Sequence, residues 1–166
     1  MRGVAIFALG VLAGGIAVQA AIAQSGSLSP NHGIVGLNHV AISVPDLDKA
    51  VTFYTRTMGF PEAFRVTNPK GEVQLVYVQI SKDTFIELAP AGPNRPPGLN
   101  HLGLHVDNMA AATAMFKARG ANVGDIITTS PTKAVLSNVL DLNGNRIELT
   151  ELPPQSLHQQ ATDRWH

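Results

Sequence analysis

The chain has 166 residues, 45% hydrophobic and 14% charged, with twelve basic and twelve acidic side chains cancelling to a formal charge of zero. That composition belongs to a globular protein, and with no block of like charge it excludes a nucleic-acid footprint and a polybasic membrane patch. Cysteine is absent, which excludes disulfides and thiolate ligands and leaves nitrogen and oxygen donors for any metal.

In chain order, the first predicted element is a leader. Arg2 precedes an uncharged apolar run over residues 4–18, and Ala21-Ile22-Ala23 stands before Gln24. A basic start, an apolar centre and a small-x-small site read as a signal peptide over residues 1–23, giving a secreted or periplasmic protein. An uncleaved anchor is the alternative, since residues 3–23 nearly suffice to span a bilayer. Residues 24–33 follow as a polar linker.

The pattern then changes. Residues 37–44 alternate, with Val40, Ile42 and Val44 on one face and His39, Ala41 and Ser43 on the other; this is a half-buried strand. Asp46 is placed to cap a helix in which Leu47, Ala50, Val51, Tyr54 and Met58 recur at helical spacing until Gly59. Extended runs over 62–67, 72–80 and 84–89 follow, then a connection over 91–98.

The second half has the same order. A strand over 101–106 leads to a helix starting near Asn108, with Ala111, Ala114, Met115 and Ala118 along it before Gly120. Three extended runs follow, over 122–128, 134–140 and 145–151. Asn143-Gly144, between the last two, is a type I′ hairpin signal. Each half is therefore βαβββ, with modules at about 34–90 and 98–152. Neither buries much core alone, so the fold class is α+β, the two modules packed together.

The halves also match residue by residue. Gly36-Leu37-Asn38-His39-Val40 returns as Gly98-Leu99-Asn100-His101-Leu102, and Phe85-Ile86-Glu87-Leu88 as Arg146-Ile147-Glu148-Leu149, at nearly the same offset. Two matches in register mark a duplicated unit. Alternation puts His39, Glu87, His101 and Glu148 on the strand faces turned away from the helices. If each sheet curls, two imidazoles and two carboxylates converge in a cup, a set suited to Zn, Ni, Co, Mn or Fe(II). His105 shares the face of His101, and Ser43 that of His39; both are candidates for the substrate pocket. His32, His158 and His166 fall in linker or tail and receive no role.

Residues 37–47 (LNHVAISVPDL), followed by Phe53-Tyr54 and Met58-Gly59-Phe60, resemble the opening of a vicinal oxygen chelate domain. Residues 100–106 (NHLGLHV) and 141–149 (DLNGNRIEL) resemble its second half. The resemblance runs from about Gly36 to Leu152. It implies paired βαβββ modules with a metal in the cup, and the His/Glu/His/Glu ligand set of compact bacterial glyoxalase I falls on His39, Glu87, His101 and Glu148. Ser43 and Ala91 stand where that enzyme carries a glutathione-binding arginine and asparagine, so a substrate other than a glutathione adduct is expected.

The expected function is an exported, metal-dependent isomerase, epimerase or lyase. It would move a proton beside the carbonyl of a small molecule, with Glu148 or Glu87 as base. An exported small-molecule binding protein and an Fe(II) ring-cleaving dioxygenase are the alternatives. The partner is a small-molecule substrate, with no nucleic acid and no membrane once the leader is cleaved; a homodimer is left open. Residues 153–166 are read as a polar tail in which Trp165 either docks or stays disordered.

Overall fold

The computed structural model describes residues 33–129 and 131–166. The predicted leader, and the linker up to His32, lie outside that range. Nine strands form one mixed sheet: β1 (Ile34–Val44), β2 (Glu62–Thr67), β3 (Val73–Ser81), β4 (Thr84–Pro90), β5 (Gly98–Val106), β6 (Asn122–Val123), β7 (Ile127–Thr128), β8 (Val135–Leu140) and β9 (Arg146–Glu151). Their order is β2-β3-β4-β1-β5-β9-β8-β6, with β7 also on β8. The predicted α+β class and duplicated halves are both present. In each half the first strand runs parallel to the last, β1 with β4 and β5 with β9. The halves join where β1 meets β5 antiparallel.

The two halves are braced differently. Helix α1 (Leu47–Thr52) starts as predicted, Asp46 accepting from Lys49 N at 3.0 Å, but passes into a π turn over Phe53–Thr57 and buries none of its residues. Helix α2 (Met109–Ala118) packs Met109 and Ala112 against Val106, Val139 and Leu149 on the outer side of the second half. Asn108 caps it, and Glu151 Oε2 accepts from Met109 N at 2.6 Å. A third helix, α3 (Leu157–Asp163), lies in the segment expected to be a tail; Ala161 joins Tyr77 and Phe85 in a second core cluster. No helix of the described residues is long and apolar enough to cross a membrane.

Two local expectations give way. The run over 122–128 is broken into β6 and β7, both paired to β8. The Asn143-Gly144 turn is not type I′, which needs positive φ at both residues; only Gly144 has it, at 82°. Asp141 instead accepts from Asn143 N and Asn145 N, and Gly144 N donates to Asp141 O, closing a three-residue loop. The carboxylate at Asp141 selects that longer turn by satisfying its free amides.

Candidate metal centre

Strand register brings His39, Glu87 and His101 together, with Glu148 beside the two histidines. Glu87 sits opposite Ala41, two residues beyond His39, and Glu148 sits opposite Gly103, two beyond His101. Across the β1–β5 seam, His39 faces Gly103 and Ala41 faces His101. One row of the cup thus holds His39 and Glu148 and the next holds Glu87 and His101, each pair separated by a small residue. The size of that residue matters: a Cβ on Gly103 would collide with the His39 imidazole.

His39 Nε2 lies 3.0 Å from His101 Nε2, 3.7 Å from Glu87 Oε2 and 3.5 Å from Glu148 Oε1. His101 Nε2 is 3.8 Å from Glu148 Oε2. Ligands bound at about 2.0–2.2 Å stand about 3–3.5 Å apart, and the donor atoms of His39, Glu87 and His101, all within 4.8 Å of one another, come near that spacing. All four residues are buried. The ligand-bearing faces are in fact more buried than the helix-side faces of β1, because the sheet curls around them and α3 enters the cup.

The β1–β5 seam has three register shifts, one near its Ile34 end and two beside the histidines. Register slips by one at Asn38 on β1 and by one at Asn100 on β5, the residue before each histidine. An extra residue bends the strand and re-aims its side chain. Asn38 Oδ1 thereby meets His39 Nδ1 at 2.9 Å, and Asn100 Oδ1 meets His101 Nδ1 at 2.8 Å. An amide oxygen only accepts, so His39 carries its proton on Nδ1 and offers the Nε2 lone pair to the cup.

At His101 the asparagine has a competitor. The Arg146 guanidinium, which only donates, makes a short bond to His101 Nδ1 and another to Glu148 Oε2 at 2.8 Å. With Arg146 there, the consistent pattern runs from Arg146 to His101 Nδ1, from His101 Nε2 to His39 Nε2, and from His39 Nδ1 to Asn38. With Arg146 withdrawn, Asn100 accepts the Nδ1 proton, and both Nε2 lone pairs face two carboxylates. Four electron-rich atoms so placed repel one another, and a divalent cation relieves the repulsion; this donor set fits a metal.

Burial, with Arg146 nearby, holds His39 at a pKa of about 4; the same causes, with His39 and Arg95 adding to them, hold His101 at about 3. Both imidazoles are neutral, as metal ligands must be. Burial raises Glu148 to about 7, with Glu87 adding to the rise and Arg146 opposing it. Burial also raises Glu87, but the Tyr77 hydroxyl donates to its Oε2 and offsets part of that.

A cavity of about 270 Å³ opens onto Glu87, His101 and Glu148, with Arg95 and Arg146 in its lining and Leu75 and Leu136 as apolar wall. Neither His105 nor Ser43 lines it. Both are on the cup face, but His105 pairs with Thr150 and Ser43 with Ala89, at opposite ends of the strands. Tyr77, Arg95, Arg146, Asn38, Asn100 and His158 are the site residues that went unassigned. Alternation already put Arg146 beside Glu148, and the repeat already paired Asn38 with Asn100; Arg95 and His158 left no periodic signal.

Curled sheet, duplicated halves and a His/Glu quartet define a paired-βαβββ protein with a candidate metal centre in its cup. The Glyoxalase/Bleomycin resistance protein/Dioxygenase superfamily pattern matches residues 36–149, and the chain belongs to that superfamily. Human mitochondrial methylmalonyl-CoA epimerase is 34% identical over 93 residues, 50% of this chain and 53% of that protein. The ethylmalonyl-CoA/methylmalonyl-CoA epimerase of Cereibacter sphaeroides is 29% identical over 130 residues, 70% of this chain and 97% of that one. The lactoylglutathione lyase of Salmonella typhimurium is 29% identical over 125 residues, 69% and 91% of the two chains. This chain spans about half the length of the mammalian epimerases it matches. A solved methylmalonyl-CoA epimerase from Mycobacterium tuberculosis superposes with a TM-score of 0.64 at 22% identity, over 74% of this chain and 91% of that one; the likeness is one of fold.

Proposed function

We propose that the protein catalyses proton transfer at the carbon beside a carbonyl of a small anionic substrate. A divalent ion would be held by His39, Glu87, His101 and Glu148. The observation that carries this is the gathering of the His39, Glu87 and His101 donor atoms within 4.8 Å of one another at a buried point beside a cavity, with Glu148 3.5 Å from His39 and 3.8 Å from His101. When bound, the ion supplies Lewis-acid stabilisation of negative charge on the carbonyl oxygen, worth several kcal/mol.

The chain's own residues divide the remaining work. Glu148 is assigned the base: in the metal-free chain burial lifts its pKa to about 7, which suits it to take and return a proton when it is not holding the ion. Glu87 is oriented by Tyr77 and stays a ligand. Arg95 and Arg146 face the same cavity and would bind a substrate carboxylate, Arg146 leaving His101 and Glu148 to do so. Leu75 and Leu136 would form the apolar side of the substrate site. The epimerase relatives make malonyl-type thioesters the first substrates to test.

The test is solvent deuterium wash-in at the substrate carbon, followed by NMR on a panel of 2-oxo, 2-hydroxy and malonyl-type acids and thioesters. Glu148→Gln is expected to lower the exchange rate by ~10²–10⁴-fold; undiminished exchange in both Glu148→Gln and Glu87→Gln would overturn the proposal. Metal content separates the alternatives. Stoichiometric Zn, Ni or Co fits the proposed enzyme, oxygen-sensitive Fe a dioxygenase, and no metal a binding protein. We also propose export with removal of residues 1–23, on the sequence pattern of the leader. The mass of the protein recovered outside the cytoplasm tests it, an intact N-terminus being the adverse result.

A further inference from the structure

Helix α3 lies beyond the 36–149 match and beyond both modules, yet its side chains reach the inside of the cup. His158 is 2% exposed, and neither ring nitrogen has a hydrogen-bond partner among the described residues. Its imidazole stands edge-on to the rings of Phe64, Tyr77 and Phe85, at centroid distances of 4.8, 4.7 and 5.5 Å. The His39 ring lies 6.2 Å away, stacked at 27°. A buried polar group left unpaired costs about 1–3 kcal/mol, which an apolar side chain would avoid. Filling space therefore does not account for a histidine here.

Two of the four rings around His158 belong to the centre. His39 Nε2 is the atom nearest all three other donors, and Tyr77 is bonded to Glu87. The helix is tied down at both ends. Leu157 N donates to Thr132 O at 2.9 Å, in the loop that lines the cavity, and Thr162 Oγ1 donates to Lys82 O at 3.1 Å, between β3 and β4. Burial keeps the His158 ring neutral, its pKa held at about 3, so its influence on its neighbours is through the shape and polarity of the imidazole and not through a net charge.

We propose that α3 is a closing wall of the metal cup and that His158 is a positioning residue. It would hold the His39 imidazole from behind and, through Tyr77, the Glu87 carboxylate. This rests on the four-residue centre proposed above.

The test is Co(II) titration of the full chain against a competing chelator, with the visible spectrum of the loaded protein as the second reading. His158→Ala is expected to weaken Co(II) binding by about tenfold or more and to shift the ligand-field bands. Met109→Ala, a cavity of similar kind under α2, is expected to lower the thermal midpoint and change neither reading. If the alanine variant does not fold, His158→Leu refills the cage without the imidazole and is expected to shift the bands in the same way. Wild-type affinity and spectrum in the folded variant, or an equal shift in Met109→Ala, would overturn the inference alone. A wild-type chain that takes up no Co(II) would overturn the centre and the inference together.

Discussion

Gly103 is the residue on which the centre is most narrowly balanced. It faces His39 across the seam and neighbours Glu148 on the other side, and the imidazole occupies the space a side chain would need. Gly103→Ala forces that ring aside, an overpacking of about 1–3 kcal/mol. We expect the variant to fold, by circular dichroism, but to bind divalent metal at least tenfold more weakly in chelator competition; unchanged affinity would contradict the packing argument. Glu148 sets the pH dependence. Its pKa in the folded chain, about 7 against an ordinary 4.5, means that below neutrality a bound metal must displace a proton. His39 and His101 add no such cost, being neutral above about 4 and 3. Affinity should therefore climb by about tenfold per pH unit towards pH 7 and level off above it; calorimetric titration at several pH values checks this, and a flat profile would refute it.

At the scale of elements, the paired bulges do what a regular strand cannot. Side chains on adjacent residues of a strand point to opposite faces, so an asparagine reaches the histidine after it only if the ladder slips there, as it does at Asn38 and Asn100. Asn38→Ala frees the His39 tautomer, and an expected loss of about tenfold or more in metal affinity, with the fold intact, is measurable by the same competition. Helix α2 offers the contrasting case. Asn108→Ala removes a cap and should cost about 1 kcal/mol, lowering the denaturant midpoint while leaving metal affinity where it was. Periodicity located most elements well, β2 to the residue. It was misled where a local bond overrode it: at the π turn after Thr52 and in the loop that Asp141 organises.

For the molecule as a whole, the decisive arrangement is the antiparallel seam of β1 and β5, which brings both halves of the cup together within one chain. If the proposed donors all come from one chain, mixing the His39→Ala and Glu148→Ala proteins is expected to restore no activity, whatever the oligomeric state. Recovery on mixing would mean that cups form between chains.

The period-two pattern and the internal duplication are enough by themselves to place two histidines and two glutamates on like faces of like strands, because side-chain direction along a strand is a local property of the backbone. Which residues meet across the sheet is not local. The crossing of His39 with Gly103, the slip at each asparagine, the reach of Arg146 to His101 and the return of His158 from beyond the second module all depend on strand register and helix docking. Contacts between residues far apart in the chain set these, and no short window of sequence contains them.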